Sequence, residues 1–569
     1  MKRRPWPRGS EGNEVPYDPG QMDGAAITVD GSRPAPLPRL WASVGYDEIN
    51  WTYTPTGRHL LRVLSAEGRE TFHVRTHYVF CSGTGRSLPH WGAGNVYHED
   101  ASGRPYHDWS VVDRVYDAVT DAGHVPLVEL GFTPRALVPE DASRRLPYEP
   151  SPTQYSEYEA GLWSFPPRSF ERWGELVEAL VRHCAERYGA ASVERWLWEL
   201  WNEPDIFYWR GTAEEYFRLY EVTASAVRSA LPAGKVGGPA TTGDLRRGGP
   251  DFLRAFLDHC AERDVPLDFV SFHTKGAAFT PWRQYGPIGS AAPVRQSPST
   301  VKMLREVREG LRAVAAHDRF RALPCVVDEC DASVPAHLGV YDNANFGYRN
   351  HEYYAVFQCQ LMAKLLRLGE EVGVGPAQAT TWSFYMEGER CFEGTRSLLT
   401  SHHIEKPVLN AYRMLSRLGT WALPVTSTAR WDLTRLDTDS AVPEEIDALA
   451  SRDHDGRLAV LVWRHQDDQY GHSVEPAMVD LRFEGLPYER GDVRVRHWRI
   501  DAAHSNAHAA WQASSSPDYP GPEEVAAIRA RQGLERLEPD RRERVRNAAL
   551  ELRLRLPLPA VSLVELESV

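Results

Sequence analysis

No stretch of this 569-residue chain approaches the roughly 20 consecutive apolar residues that a membrane-crossing helix needs. The amino terminus, MKRRPWPRGSEGNEVPYDPG, is basic and then rich in Pro and Gly, without the apolar segment of a secretory leader. These absences make the cytoplasm the expected location and argue against a membrane as partner. Cysteine is sparse: Cys81, Cys184, Cys260, Cys325, Cys330, Cys359 and Cys391 are odd in number, scattered, and form no C-x-x-C. Neither a disulfide scaffold nor a structural zinc site is expected. There is no H-E-x-x-H, no G-x-S-x-G elbow, and no phosphate-cradling glycine loop after the first strand-like segment. Metalloprotease, serine-hydrolase and nucleotide-binding readings fall away with them. The formal charge of −13 is spread along the chain and not gathered in a tail, which argues against nucleic acid as a partner.

Aromatic residues, by contrast, are plentiful. Eighteen Trp stand in the chain, many beside Asn, Glu, Asp or His. Indole platforms edged with polar groups suit a sugar, whose flat apolar faces are rimmed with hydroxyls. From Trp41 to about Gly419, short apolar runs alternate with amphipathic stretches. Eight strand candidates arise: Trp41–Val44, Phe72–Phe80, Val125–Leu130, Arg195–Trp201, Val236–Gly238, Phe269–His273, Cys325–Glu329 and Thr380–Tyr385. Eight strands, mostly separated by helices over nearly four hundred residues, predict an α/β fold, a (β/α)8 TIM barrel at 41–419. Residues 420–569 change to short strands and polar turns, predicting a C-terminal β-sandwich domain with a charged helical insertion around 522–552. Residues 1–24 read as a flexible leader, and 25–40 as an N-terminal strand segment joining the sandwich.

The strongest motif is Trp196-Leu-Trp-Glu-Leu-Trp-Asn-Glu-Pro-Asp205. An apolar, aromatic strand ends abruptly at Asn202-Glu203-Pro204, and Pro204 stops further ladder pairing. At the carboxyl end of a parallel barrel strand, Glu203 faces the active-site mouth. A second strand, Leu323-Pro-Cys-Val-Val-Asp-Glu-Cys-Asp331, also terminates in carboxylates. Two carboxylates at the mouths of different strands are what glycoside hydrolysis requires: one protonates the leaving oxygen, the other attacks or activates water. Glu329 is read as the second of the pair, with Asp328 pointing the opposite way by strand alternation. Arg75 and His77 share a face of strand two. Arg75 is expected to hold the nucleophile ionised, or to form a structural salt bridge, and His77 to bind a hydroxyl. His273 and Lys275 end strand six on one face, and Trp382 ends strand eight, with ordinary core packing as one reading. No metal site or cofactor is expected. His402 and His403 are adjacent and so diverge, while His90, His98 and His107 fall in a long irregular stretch that frames the pocket's rim.

These motifs resemble glycoside hydrolase family 39, the β-xylosidase and α-L-iduronidase family of clan A. The resemblance rests on the W-N-E-P strand, the later D-E-x-D strand, Arg75-Thr76-His77, His273-Thr274-Lys275-Gly276, and Lys406-Pro407 at the barrel exit. It implies a retaining glycosidase with Glu203 as acid/base, Glu329 as nucleophile, Asn202 at the sugar's 2-hydroxyl and Trp382 as a sugar-facing platform. Lys275 would suit an iduronate carboxylate, whereas the acid-rich loop Glu387–Glu393 would repel one. A neutral terminal pentoside is therefore expected, β-xyloside ahead of α-L-arabinoside, with the uronide behind. The partner is an oligosaccharide or glycoside, and oligomeric state is left open, a homo-oligomer included. A barrel that binds sugar without cleaving it is the alternative from another class.

Overall fold

A computed structural model describes residues 24–65, 70–83, 92–146, 156–279, 294–385, 388 and 390–569. The leader up to residue 23, His90, Glu387 and Glu389 lie outside the described residues. Seven parallel strands pair each with the next: β1 (Ser43–Tyr46), β2 (His73–Thr76), β3 (Val125–Leu130), β4 (Leu197–Leu200), β5 (Lys235–Thr241), β6 (Phe269–Lys275) and β7 (Cys325–Asp331). The eighth, β8, has two pieces: Pro376–Ala379 lies against β7, and Thr381–Trp382 lies against β1, closing a TIM barrel. It thus begins at Pro376, ahead of the expected Thr380. β2 ends at Thr76, well short of Phe80.

A helix follows every strand: α1 (Pro55–Ser65), α2 (Ser110–Asp121), α3 (Phe170–Tyr188), α4 (Ala213–Ala230), α5 (Gly249–Glu262), α6 (Thr300–Ala315), α7 (Glu352–Val372) and α8 (Pro407–Ser416). Their starts are written in the sequence. The Ser169 and Ser299 side chains accept from the N–H groups of Arg172 and Lys302, and Thr212 and Glu215 form a reciprocal capping box. α7 closes on Gly373 at φ 79°, a left-handed position that glycine takes without cost.

The strands also grade the barrel interior. Leu127, Leu197, Phe269 and Val326 pack together as a buried apolar cluster. Two residues further along the same faces stand Glu129, Glu199, Ser271 and Asp328, all buried. Period-two alternation therefore carries each strand from an apolar floor to a polar upper layer near its carboxyl end.

The C-terminal β-sandwich stacks a four-stranded sheet on a larger antiparallel one, with a shared apolar core between them. The chain's leading strand, Gly24–Asp30, lies parallel to Ser473–Glu484 and antiparallel to Val425–Ser427. The charged stretch expected to be helical is so only over Pro522–Arg529. Glu535–Arg536 and Arg541–Val545 are strands, and Leu550–Leu558 pairs with Ser473–Glu484. Leu550–Leu558 alternates buried Leu with outward charged residues, a period-two signal that outweighs its Arg and Glu content. The larger sheet covers α7, which is buried on nearly every side. Lys364 of α7 donates to Glu445 at 2.9 Å across that interface, and Trp463 Nε1 donates to the same carboxylate at 3.1 Å.

At the barrel exit, Lys406 is buried, and its ammonium donates to the Thr395 carbonyl at 2.8 Å. Among the described residues no carboxylate comes within ion-pair reach of it. Burial, with the Arg349 cation nearby, lowers its pKa to about 7. A lysine with a lowered folded-state pKa destabilises the fold in full below about pH 7, and the penalty fades as pH rises towards 10.5. Lys406→Met is expected to stabilise the protein by about 1–2 kcal/mol at pH 6, net of the lost bond to Thr395. Thermal melts across pH check this: a stability gain that grows between pH 7 and 10, or no gain at all, contradicts it.

Candidate active site

Arg75 is the hub of the polar layer. It is fully buried and donates from Nε to Glu199 at 2.6 Å, from Nη2 to Asn202 Oδ1 at 3.0 Å, and from Nη1 to Glu329 at 3.4 Å. Its Nη2 also lies 3.2 Å from Asp328. One side chain thus pairs with Glu199 and Asp328 and also reaches Glu329. A planar guanidinium with five donors can serve several carboxylates at once, which a lysine cannot do. Burial opposes its charge, but Glu199, Asp328, Glu129 and Glu329 outweigh burial and raise its pKa further.

β4 gives way at Trp201 and Glu203, which take φ values of 68° and 46°. Both lie in the left-handed region that non-glycine residues avoid, and such strain persists only where the surroundings enforce it. Here the Glu203 N–H donates to the Ala240 carbonyl at 2.9 Å, the Trp201 N–H to Leu130 at 3.2 Å, and Trp201 Nε1 to the Tyr208 carbonyl at 3.0 Å. The turn brings the Glu203 carboxylate to 3.0 Å from His273 Nδ1.

Glu329 sits deeper than Glu203, with its side chain 9% exposed against 15%. Lys275 Nζ donates to it at 2.6 Å, and His77 Nε2 and His273 Nδ1 stand 3.8 and 3.9 Å away. Burial alone would raise its pKa, but Lys275, His273, Arg75 and His77 outweigh burial and hold the carboxyl well below its usual range. It is an anion at any pH near neutrality. One carboxylate oxygen of Glu203, one of Glu329 and a ring nitrogen of His273 all lie within 4.8 Å of one another. His273 also faces Asp328 at 3.4 Å through Nε2. Burial lowers its pKa, but Glu329 and Asp328 more than reverse this and push it up to about 10. In that form its ring nitrogens donate toward Glu203 and Asp328.

Asp328 does not point away from the site. The pairing of β6 with β7 slips by one residue between Phe272–Val327 and His273–Glu329, so Asp328 is an extra, bulged residue. Asp328 keeps the inward face of Val326, and the bulge lets Glu329 reach the same Arg75–His273 layer. Burial pushes the Glu199 carboxyl well up, assisted by Asp328 and opposed by Arg75.

His77 spends its nitrogens inside the site. Nδ1 lies 2.9 Å from Asp47, and Nε2 lies 2.8 Å from Glu129, where a bond to a hydroxyl had been expected. Burial lowers its pKa, and Glu129 and Asp47 together outweigh that to carry it to about 9. Trp382 Nε1 donates to the other Asp47 oxygen at 3.2 Å, and its ring lies 4.3 Å from that of His77. Trp382 is almost wholly covered, packed so closely on β1 that a Cβ at Gly45 would fall 2.3 Å from the indole. Among the residues missed from sequence are Glu129 and Glu199, which meet His77 and Arg75, Asp47, which leaves β1 and holds both His77 and Trp382, and Arg396. Arg396 makes a close ion pair with Asp331, as does Lys275 at 2.5 Å. Asp47 and Arg396 lie beyond strand ends in loops without a motif. Of the rim histidines described, His98 bonds the Asn95 carbonyl at 2.8 Å and His107 stacks on Trp109.

Residues 76–536 match Glycosyl hydrolases family 39. A β-xylosidase of Geobacillus stearothermophilus is 26% identical over 543 residues, covering 89% of this chain and 95% of that one. An α-L-iduronidase of Canis lupus familiaris is 27% identical over 387 residues, covering 63% of this chain and 54% of its own. The crystal structure of a monomeric β-xylosidase from Caulobacter crescentus superposes with a TM-score of 0.74 at 22% identity, over 96% of this chain and 99% of that one. The chain belongs to glycosyl hydrolase family 39 and is a glycosidase.

Proposed function

We propose that this glycosidase removes non-reducing terminal β-D-xylosyl residues with retention, by double displacement. The observation that carries the mechanism is the separation of the two glutamates, whose nearest oxygens lie within 4.8 Å. Retaining enzymes hold their carboxyl groups about 5–5.5 Å apart, and a water between them would need a wider gap. Glu329, ionised by its cationic surround, attacks the anomeric carbon while Glu203 gives its proton to the leaving oxygen. Glu203 then takes a proton from the water that releases the sugar. His273, bonded to Glu203 at 3.0 Å, orients that carboxyl toward the scissile oxygen, and its charge favours the carboxylate form of Glu329. Asn202 commits its carbonyl oxygen to Arg75, which turns its NH2 end to the sugar's 2-hydroxyl.

The charge balance supports a neutral sugar. Lys275 and Arg396 are the cations nearest Glu329 that could take a uronate, and both are spent on Asp331. Asp47 adds a further negative charge, which repels a carboxylated sugar and accepts from hydroxyls. The second reading is a uronide, favoured by the single observation that Lys275 Nζ reaches Glu329 at the pocket floor. A panel of nitrophenyl β-xyloside, α-L-arabinofuranoside, α-L-arabinopyranoside, galactoside and the iduronide separates the two. The xyloside is expected to lead in kcat/KM by about tenfold or more, with β-xylose as the first product by NMR. Turnover of the iduronide alone, or α-xylose first, would falsify the reading.

A further inference from the structure

Beyond Glu203 the chain makes a tight turn, the Ile206 N–H donating to the Glu203 carbonyl at 3.2 Å, and then presents Phe207 and Tyr208. Phe207 is 56% exposed, the most open phenylalanine among the described residues. Its ring is not loose: it stacks on Tyr208 with centroids 4.7 Å apart and planes 29° apart. Tyr208 in turn rests on Phe132 at 5.8 Å and Trp163 at 5.4 Å, and those two rings contact each other at 4.6 Å. Phe132 and Trp163 are buried, Tyr208 is half-buried and Phe207 is open. The four rings form a stair from the barrel interior to solvent. The Tyr208 phenol marks where the stair meets the pocket. Burial and then the carboxylates of Asp47, Glu203 and Glu329 drive its pKa well above the usual value.

We propose that Phe207 and Tyr208 form an aglycone subsite, a stacking platform for a flat ring attached to the scissile oxygen. The inference rests on Glu203 as the proton donor, because the leaving group departs on the side of the group that protonates it. A ring stacked on Tyr208, itself held by Phe132 and Trp163, offers an apolar face already organised, so little ordering entropy is lost on binding. The ligand chemistry is a ring with an apolar face, either the pyranose of the next sugar or an aryl aglycone. Phe207 contributes no hydrogen bond, so it discriminates by ring and not by hydroxyl pattern.

The test compares wild type, Phe207→Ala and Phe207→Trp on xylobiose, nitrophenyl β-xyloside and methyl β-xyloside, with melting temperatures to confirm folding. Phe207→Ala is expected to lower kcat/KM about fivefold, mainly through KM, on the ring-bearing substrates. Hydrolysis of the methyl glycoside should change less than about twofold, and Phe207→Trp should restore ring selectivity. Loss on xylobiose alone identifies the subsite as one for sugar, and loss on the nitrophenyl glycoside alone as one for aryl groups. Equal loss on all three substrates, or none on any, overturns the subsite. If another glycone proves to be the substrate, its aryl and methyl glycosides replace the xylosides, because the glycone cancels in the ratio. The subsite can then fail while the glycosidase reading stands. A wild type inert on every glycoside overturns both.

Discussion

Glu329→Ala is expected to lower kcat/KM by about 10⁴-fold or more on every substrate, whatever the leaving group, because no covalent intermediate can form without the nucleophile. The site predicts a signature beyond loss of rate. Lys275, Arg75 and His273 all address Glu329, and alanine leaves them facing a vacated, anion-sized space. Azide should enter that space, restore part of the activity with an activated xyloside, and yield the α-xylosyl azide by single inversion. Circular dichroism should show an intact barrel, since Asp328, Asp331 and Glu199 still neutralise the neighbouring cations. A variant keeping more than about one hundredth of wild-type activity, or giving β-azide, would remove Glu329 from the nucleophile's role.

Glu203→Gln tests the partner, and its effect should depend on the leaving group. Glutamine preserves the shape of a residue held at φ 46°, but it cannot give up a proton. For xylobiose or methyl xyloside, kcat/KM should fall by roughly 10²–10⁴-fold, the usual worth of general acid catalysis. With a dinitrophenyl xyloside the first step needs no protonation. The glycosyl-enzyme should then accumulate, visible as a burst of phenolate followed by slow turnover. Azide should speed its breakdown and yield the β-xylosyl azide, the opposite stereochemistry from that of the Glu329 variant. Equal losses for good and poor leaving groups would rule Glu203 out as the acid.

The fold was legible because its strongest signals are periodic. Eight apolar runs separated by amphipathic helices with clear caps could be read directly, and Glu203 announced itself by an aromatic strand broken at proline. What stayed hidden depends on pairing. The bulge at Asp328 is a property of two strands together, and no one-strand pattern reveals that it brings neighbouring Asp328 and Glu329 to one layer, so they were assigned opposite faces. Asp47 and Arg396 reach the site from loops after the first and last barrel strands, where no period constrains them. Trp382 was readable as an aromatic at a strand end, but its near-complete burial against Gly45 was not. The strands within 522–552 were obscured by charge, although Leu550–Leu558 carries the alternation openly.

The leading strand has a consequence for synthesis. Gly24–Asp30 leaves the ribosome ahead of the whole barrel, yet Ile27 pairs with Leu481, more than four hundred residues later. At about 5–20 residues per second, that partner emerges roughly 20–90 s after the strand itself. The barrel can close during the interval, since its eight strands and helices are complete by Ser416. The waiting strand keeps Ala25, Ile27 and Val29 uncovered, along with two unpaired edges. The sandwich is therefore the part of this enzyme that calls for a chaperone or slow, cool expression, and losing Gly24–Asp30 or Ala560–Ser568 would strip a strand from one or the other of its two sheets.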